Sequence, residues 1–151
     1  MENTNEITLL LVEDDDIDAM TIQRSFKKQN ITNPIVRVYD GLEALTLLKK
    51  GEVAPPLVII LDLQMPRMGG IEFLKALRAD PQLSNLVVFV LTTSKAKSDI
   101  ISSYGEHIAG YFVKGQTGDR FSGLVSMLEN YFEIFYVISP KLKWSIKRLK
   151  Y

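Results

Sequence analysis

Cysteine is absent from the 151 residues, and histidine occurs once, as His107. Without thiols the chain cannot form a disulfide, bind zinc through thiolates or use a cysteine nucleophile. One imidazole also excludes a metal site built from several histidines of a single chain. We expect His107 to be an ordinary surface helix residue, and any metal to be bound by oxygen ligands.

Excess charge of either sign is also absent, because 18 basic residues balance 18 acidic ones. This balance gives no bias toward nucleic acid or an anionic membrane, so we expect no direct DNA binding. No run of about 18 apolar residues is present that could span a bilayer. The polar, acidic start Met1–Glu6 does not resemble a signal peptide. We therefore expect a cytoplasmic protein.

The composition is that of one globular domain, with 46% hydrophobic and 24% charged residues. A chain of this size buries ~70% of its unfolded surface, enough for a core. We expect one domain over residues 1–138, followed by a basic tail, 139–151, rather than an output domain. Leu142, Ile146 and Leu149 lie at helical spacing in that tail. It fits either an amphipathic helix for a membrane surface or acidic partner, or a solvated end.

Short apolar runs rich in Val and Ile alternate with amphipathic stretches along the chain. The runs predict five buried strands: Ile7–Val12, Ile35–Tyr39, Leu57–Leu61, Leu86–Leu91 and Gly110–Val113. The other stretches predict five helices: Asp15–Gln29, Gly41–Lys50, Gly70–Ala79, Lys95–Tyr104 and Thr117–Ile138. Asp40 and Glu43 form a capping-box-like start for the second helix. This alternation predicts an α/β fold, a doubly wound, five-stranded parallel sheet with an extended last helix.

Candidate site residues follow the first, third, fourth and fifth predicted strands, at the strand ends where ligands bind in folds of this class. Glu13 and Asp14 follow the first strand, and Asp62 follows the third. Thr92 follows the fourth strand and Lys114 the fifth. Crowded carboxylates favour a hard divalent cation, and oxygen ligands favour Mg²⁺ or Mn²⁺ over zinc. With a hydroxyl and an ammonium group nearby, such a cation predicts a phosphoryl-transfer site.

Each of these residues also has an ordinary structural interpretation. Asp62 could be a turn residue, Thr92 a helix N-cap and Lys114 a solvated lysine. Because all of these residues lie at one edge of the predicted sheet, a functional site is favoured over separate structural roles. For three further acidic residues we favour the ordinary interpretation, as partners of the positive end of the first helix: Asp15, Asp16 and Asp18.

Five segments carry the motifs of a known family: Leu9–Asp15 (LLLVEDD), Ile59–Pro66 (IILDLQMP), Gly69–Gly70, Val90–Thr93 (VLTT) and Gly110–Lys114 (GYFVK). In order and spacing they closely resemble the receiver domain of two-component response regulators. The resemblance implies a flavodoxin-like (β/α)5 fold. It also implies that an aspartate takes a phosphoryl group from a phosphohistidine on a partner histidine kinase. The sequences of these motifs are similar to those of single-domain receivers that partner bacterial phytochromes.

The resemblance implies a role for each residue of the acidic edge. Asp62 matches the phosphoacceptor, Asp14 the direct metal ligand, and Glu13 a ligand that acts through water. The backbone carbonyl of Gln64 matches the third protein ligand of Mg²⁺. Gln64 and Ser94 also flank the path of the hydrolytic water at positions that vary in the family, so we expect them to set the lifetime of the acyl phosphate.

The remaining matches concern the lysine and a switch. Lys114 matches the lysine that pairs first with the carboxylate and then with the phosphate. Thr92 matches a hydroxyl that moves onto the phosphoryl oxygen, and Tyr111 an aromatic residue that swings inward with it. These two residues imply a bistable element that couples the site to the fourth helix, fifth strand and fifth helix. Gly115 departs from the family, which usually has proline here, so we expect a less constrained loop.

The end of the fifth helix, from Asn130 onward, is too apolar all round for a helix with a solvated face. One stripe is expected to face the core: Phe121, Leu124, Val125, Leu128 and Phe132. Four further residues are then surplus and suggest a protein interface: Tyr131, Phe135, Tyr136 and Ile138. We expect a homodimer through the fourth helix, fifth strand and fifth helix, because a symmetric pair covers such a patch with its own copy.

The leading hypothesis is a stand-alone response regulator, not an enzyme, that signals through a protein interface. One alternative is a small Mg²⁺-dependent aspartyl phosphatase of the haloacid dehalogenase type, which also uses a strand-end Asp, Thr and Lys. That family needs a second Asp two residues after the nucleophile, where this chain has Gln64. The other alternative is a pseudo-receiver that works without phosphorylation. The intact Asp14, Asp62, Thr92 and Lys114 argue against it.

Overall fold

The computed structural model describes residues 6–53, 55–115 and 121–136, the last three of them by backbone only. Within these ranges five strands and five helices alternate: β1 Thr8–Val12, α1 Asp16–Lys28, β2 Ile35–Val38, α2 Gly41–Lys49, β3 Leu57–Leu61, α3 Gly70–Ala79, β4 Val87–Thr92, α4 Lys97–Gly105, β5 Gly110–Val113 and α5 Ser122–Tyr136. All strand pairs are parallel, in the order β2-β1-β3-β4-β5. The predicted α/β class and doubly wound, flavodoxin-like sheet are confirmed.

Helices cover both faces of the sheet. One hydrophobic cluster joins the sheet to α2 and α3 and includes Leu10, Ile59 and Phe73. The other joins the sheet to α1 and α5 and includes Leu9 and Phe26. Successive side chains of a strand point to opposite faces, so a strand covered on both sides needs apolar residues at consecutive positions. This requirement explains the uninterrupted apolar runs that form β1 and β3.

The start of α2 has the cap that the sequence predicts. Asp40 Oδ1 accepts a hydrogen bond from the N–H of Glu43 at 2.9 Å. Glu43 Oε2 accepts in return from the N–H of Tyr39 at 2.9 Å, one residue before the cap. Asp40 Oδ2 also lies 2.6 Å from Arg67 Nη2, so the cap is tied to the loop between β3 and α3.

The start of α4 differs from the sequence prediction. The helix begins at Lys97 rather than Lys95. Ser94 Oγ donates to Asp99 Oδ2 at 2.5 Å and accepts from the N–H of Ala96 at 3.3 Å. These bonds hold the residues before Lys97 in a turn instead of a first helical turn.

The fifth helix buries its predicted core stripe: Phe121, Leu124, Val125, Leu128 and Phe132. It begins at Ser122, and Phe121 precedes it as a turn residue, whereas Thr117, the predicted start, lies outside the described residues. Tyr131 is not surplus, because its ring meets that of Phe89 edge-on, with 5.6 Å between centroids. That part of the prediction was wrong, since helical spacing does not show that β4 presents an aromatic partner. The side chains of Phe135, Tyr136 and Ile138 lie outside the described residues.

Two smaller expectations can be compared with the structure, and a third lies outside the described residues. His107 is exposed as expected, but it lies in the turn after α4 with φ of 58° rather than in a helix. Over the described ranges, no helix is both long and apolar enough to cross a bilayer. The division into a domain and a basic tail at residue 139 stays a prediction, since residues 137–151 lie outside the described part.

Candidate functional site

The carboxyl ends of β1 and β3 bring two acidic side chains together. Val12 pairs with Leu61 in the strand register, so Glu13 and Asp62 follow side by side. The ladder continues past both strands: the N–H of Asp62 donates to a carbonyl of β1 and that of Glu13 to a carbonyl of β2, each at 3.0 Å. Carboxylate oxygens of Glu13, Asp14 and Asp62 lie within 4.8 Å of one another. The sheet backbone therefore fixes the positions from which these carboxylates project.

Lys114 enters this cluster from the end of β5. Its ammonium Nζ lies 2.8 Å from Glu13 Oε2, 2.9 Å from Asp18 Oδ2 and 3.5 Å from Asp62 Oδ2. All four side chains are at most 8% exposed. Burial alone would lower the pKa of Lys114, but the hydrogen bonds to Glu13 and Asp18 outweigh burial and raise it. The lysine is therefore charged at neutral pH.

Glu13 is the carboxylate whose protonation the site alters most clearly. Its pKa is raised from 4.5 to about 7. Burial is the main cause, because it disfavours the charged form, and the charge of Asp62 acts in the same direction. The hydrogen bond from Lys114 lowers the pKa but does not cancel the effect of burial. Near pH 7, Glu13 therefore exists in both protonated and charged forms.

Asp18 is the site residue that the sequence interpretation missed. Asp15 caps α1 as expected, because its Oδ1 accepts from the N–H groups two and three residues later, at 2.9 and 3.0 Å. Asp16 is exposed and lies 2.8 Å from Arg37 Nη1. Asp18 instead is buried and reaches back to Lys114. Side chains of a helix lean toward its N-terminus. The position of Asp18 in the first turn of α1 was therefore the sequence signal that its side chain could reach the strand ends.

The loop after Asp62 turns back toward the acidic cluster. The N–H of Gln64 donates to Asp62 Oδ1 at 3.2 Å, so the turn role considered for Asp62 is also present. The Gln64 side-chain oxygen accepts from Thr93 Oγ1 at 3.2 Å, and both of these residues are exposed. Gln64 therefore links two loops at the open side of the cluster. The metal role of its carbonyl stays a prediction.

Gly70, the first residue of α3, packs directly against this loop, and we predict that alanine is not tolerated there. A Cβ atom at Gly70 would lie 2.7 Å from the carbonyl oxygen of Asp62 and 2.7 Å from Cα of Leu63. Both obstacles are backbone, so we expect Gly70→Ala to lower the free energy of unfolding by about 1–3 kcal/mol. Chemical denaturation measures the loss. The control is Gly123→Ala in α5, whose Cβ meets nothing within 4 Å; equal stability of the two variants would contradict the prediction.

Thr92 and Tyr111 are joined through Ser94. Thr92 is fully buried, and its Oγ1 accepts from the N–H of Ser94 at 3.4 Å. The Tyr111 hydroxyl donates to the carbonyl of Ser94 at 2.9 Å. Burial raises the pKa of Tyr111, so this hydroxyl keeps its proton. Because Ser94 Oγ also binds Asp99 of α4, one loop connects the end of β4, the aromatic residue of β5 and the start of α4.

Two of the ordinary interpretations are wrong. The N-cap of α4 is Ala96, so Thr92 does not cap a helix, and Lys114 is buried rather than solvated. Thr92 belongs to β4 instead of following it, because the N–H of Lys114 donates to its carbonyl at 2.8 Å and continues the pairing.

Gly115 has φ of 80°, which glycine adopts at low cost and the ring of proline forbids. The backbone at position 115 therefore differs from that of a receiver with the usual proline.

Both the sequence and the fold match known proteins. Residues 9–126 match the family model of the response regulator receiver domain. The chain belongs to the response regulator receiver family.

Three receiver proteins illustrate the similarity. Response regulator Rcp1 of Synechocystis sp. is 33% identical over 127 residues, which cover 82% of this chain and 86% of Rcp1. Its solved Mn(2+)-bound form matches with a TM-score of 0.65 at 32% identity, over 87% of this chain and 90% of that one. A receiver domain from Rhodospirillum rubrum has a TM-score of 0.75 at 26% identity, over 84% and 94%. The phosphorylated cyanobacterial phytochrome response regulator RcpA has a TM-score of 0.65 at 33% identity, over 87% and 89%.

The acidic pocket of this receiver has the composition of a divalent metal site. Glu13, Asp14 and Asp62 offer only oxygen ligands, which hard divalent cations prefer. The ammonium of Lys114 lies within 3.5 Å of carboxylate oxygens of Glu13, Asp18 and Asp62, and Asp14 adds a fourth carboxylate beside Glu13 and Asp62. A bound dication would offset this excess of negative charge. The residues therefore fit the divalent metal that receiver domains bind.

Proposed function

We propose that this receiver accepts a phosphoryl group from a histidine kinase onto Asp62, with Mg²⁺ bound at the acidic edge of the sheet. One observation carries the proposal: the buried Asp62 carboxylate lies 3.5 Å from the buried ammonium of Lys114 and beside the carboxylates of Glu13 and Asp14. Phosphoryl transfer needs this combination of nucleophile and charge, because its transition state spreads negative charge over the transferred group.

In the proposed step, a carboxylate oxygen of Asp62 attacks phosphorus while the bond from phosphorus to the kinase histidine breaks. The electron pair of that bond stays on the imidazole nitrogen, and an acyl phosphate forms on Asp62. Lys114 supplies positive charge beside the new group. Thr92, at the end of β4, offers its hydroxyl to a phosphoryl oxygen. The chain thus provides both the nucleophile and groups that stabilise the product.

The proposed metal ligands are Asp14 and Asp62 directly, the Gln64 carbonyl, and Glu13 through water. When bound, Mg²⁺ would neutralise charge on the phosphoryl oxygens, and Mn²⁺ has similar ligand preferences. The support is the donor set, which is all oxygen and clustered within 4.8 Å. We propose Mg²⁺ as the resident ion.

The proposed output path begins with Thr92. A shift of its hydroxyl toward the phosphoryl group would strain its contact with Ser94, whose carbonyl binds Tyr111 and whose side chain binds Asp99. These contacts lead to β5 and α4. We propose that phosphorylation changes this face of the domain and so changes which protein binds there.

We propose a histidine kinase as the partner, because the proposed chemistry starts from a phosphohistidine. We propose that this kinase is of the phytochrome type, because the chain is similar to RcpA, a phytochrome response regulator. We propose the cytoplasm as the compartment, because a kinase charged by ATP must meet the receiver where ATP is present. Direct DNA binding is not proposed, and membrane contact by the basic tail stays open. The aspartyl phosphatase is the less favoured alternative because the family match is to receivers. The pseudo-receiver is less favoured because Asp62 lies beside Lys114 and the carboxylates of Glu13 and Asp14.

Incubation of the purified protein with Mg²⁺ and acetyl phosphate, or with a panel of phosphorylated histidine kinases, tests the proposal. Intact-mass spectrometry should show the gain of one phosphoryl group. Failure with every donor would contradict the proposed function. The panel also identifies the kinase, because a cognate kinase transfers faster than the others.

We also propose a homodimer built on α4, β5 and α5. Ile101 and Tyr104 lie on one face of α4 and are 69% and 50% exposed. We expect a dimer in sedimentation at micromolar concentration, and a monomer after Ile101→Glu with Tyr104→Glu, because burying unpaired charges is costly. Ile17→Glu on α1 is the matched control, since Ile17 is 70% exposed outside this face. A monomeric wild-type protein would contradict the proposal.

A further inference from the structure

We propose that Asp18 is a positioning residue that holds Lys114 away from Asp62 and thereby limits the rate of Asp62 phosphorylation. The inference rests on the proposed function, because it concerns the lysine that stabilises the phosphoryl group. Asp18 belongs to α1 and follows none of the strands, but it contacts Lys114, so we expect it to act on the acceptor through this lysine.

The distances show where Lys114 is held. Its ammonium makes short bonds to Glu13 at 2.8 Å and to Asp18 at 2.9 Å, whereas Asp62 is 3.5 Å away. An N–H···O bond is normally 2.7–3.2 Å long, so the contact with Asp62 is weak. An ammonium has three N–H groups, and two of them are directed to carboxylates other than the acceptor. Lys114 is thus bound beside Asp62 rather than to it.

The position of Asp18 is fixed by the start of α1. Its N–H donates to Asp15 Oδ1 at 3.0 Å, in the cap of the helix. Its side chain is only 6% exposed. A buried carboxylate on a capped first turn cannot follow the ammonium far when Lys114 moves toward a phosphoryl group. Lys114 must therefore give up or stretch its bond to Asp18 as the acyl phosphate forms.

Asp18→Asn separates this role from simple support of the fold. Asparagine has nearly the same size and retains a hydrogen-bond acceptor, but it lacks the charge that holds the ammonium. Lys114 should then move closer to Asp62, and phosphorylation should become several-fold faster. If Asp18 only supported the fold, the same substitution would slow the reaction or leave it unchanged.

The first measurement is the rate of phosphorylation of the full chain by acetyl phosphate with Mg²⁺, followed by intact mass. Asp16→Asn is the matched control: it removes the same charge from the same turn, but Asp16 pairs with Arg37 rather than Lys114. We expect several-fold acceleration in Asp18→Asn and none in the control. Equal or slower phosphorylation of Asp18→Asn would overturn the proposal.

A second comparison uses a protein that already carries Lys114→Gln and tests whether Asp18 acts through the lysine. In Lys114→Gln, Asp18→Asn should bring no acceleration, because the group that Asp18 holds is gone. Acceleration of equal size in this background would show that Asp18 acts by its charge alone, and would overturn its positioning role.

A third measurement needs neither metal nor phosphate. Solvent exchange of the Lys114 ammonium protons, followed by ¹⁵N NMR, should be faster in Asp18→Asn than in the wild type and in Asp16→Asn. Equal exchange in all three would overturn the proposal. If the wild type cannot be phosphorylated at all, the proposed function fails, while this exchange measurement still decides whether Asp18 holds Lys114.

Discussion

Asp62→Asn should reduce phosphorylation, by acetyl phosphate or by a cognate kinase, to the background level. The amide has no anionic oxygen to attack phosphorus, so the acyl phosphate cannot form. The fold should survive, because asparagine has the same shape and its oxygen still accepts from the N–H of Gln64, as Asp62 does at 3.2 Å. Lys114 also retains its shorter bonds to Glu13 and Asp18. Intact mass after incubation measures the labelled fraction.

The control for this variant is Asp80→Asn. Asp80 accepts from the N–H of Gln82 at 2.9 Å in the turn after α3, apart from the acidic cluster. Asparagine serves equally well in such a turn, so labelling should equal that of the wild type. Wild-type labelling of Asp62→Asn would show that another side chain is the acceptor.

Removal of the divalent metal should stop phosphorylation as completely as loss of the acceptor. Chelation should abolish labelling, and Asp14→Ala should do so in the presence of Mg²⁺. Asp14 is exposed, yet its carboxylate belongs to the cluster, so its removal relieves repulsion among like charges. The metal-free variant should therefore unfold at a denaturant concentration no lower than the wild type. Metal-independent phosphotransfer would contradict this account.

The stability of the metal-free protein and its affinity for Mg²⁺ should both depend on pH, with a sign that the pKa of Glu13 defines. The folded pKa of Glu13, about 7, lies above its ordinary value of 4.5. In the metal-free protein, protonated Glu13 contributes stability that is fully present below pH 4.5 and is lost as the pH rises through 7. A cation competes with that proton, so Mg²⁺ affinity in calorimetric titrations should rise across the same interval. Glu13→Gln should flatten this dependence, and an equally steep dependence in that variant would contradict it.

Much of the site could be predicted from sequence because sheet geometry is general. A parallel sheet brings the carboxyl ends of its strands to one edge, so the residues after β1 and β3 must lie together whatever the helices do. The prediction that Glu13 and Asp62 lie together required only that two apolar runs be recognised as neighbouring strands. Strands covered on both faces give long apolar runs, which are the easiest pattern to recognise.

Asp18 and Tyr131 were misinterpreted because their partners are distant in sequence. An acidic residue in a first helical turn is explained by the helix dipole alone, so the position of Asp18 is compatible with a contact at the strand ends but does not identify Lys114 as the partner. Helical spacing placed Tyr131 outside the core stripe, but Phe89 of β4 lies within reach of its ring. Both contacts depend on how a helix is seated on the sheet, which periodicity does not determine.

The junction between Thr92 and Tyr111 is made by the peptide groups of residue 94, whose N–H and carbonyl bind the two hydroxyls. Every residue except proline carries both groups, whatever its side chain. The serine hydroxyl is needed only for the side-chain bonds, one to Asp99 and one from the N–H of Ala96. An exchange of the side chain at position 94 would therefore leave the main-chain route from β4 to β5 in place and alter only the side-chain link to α4.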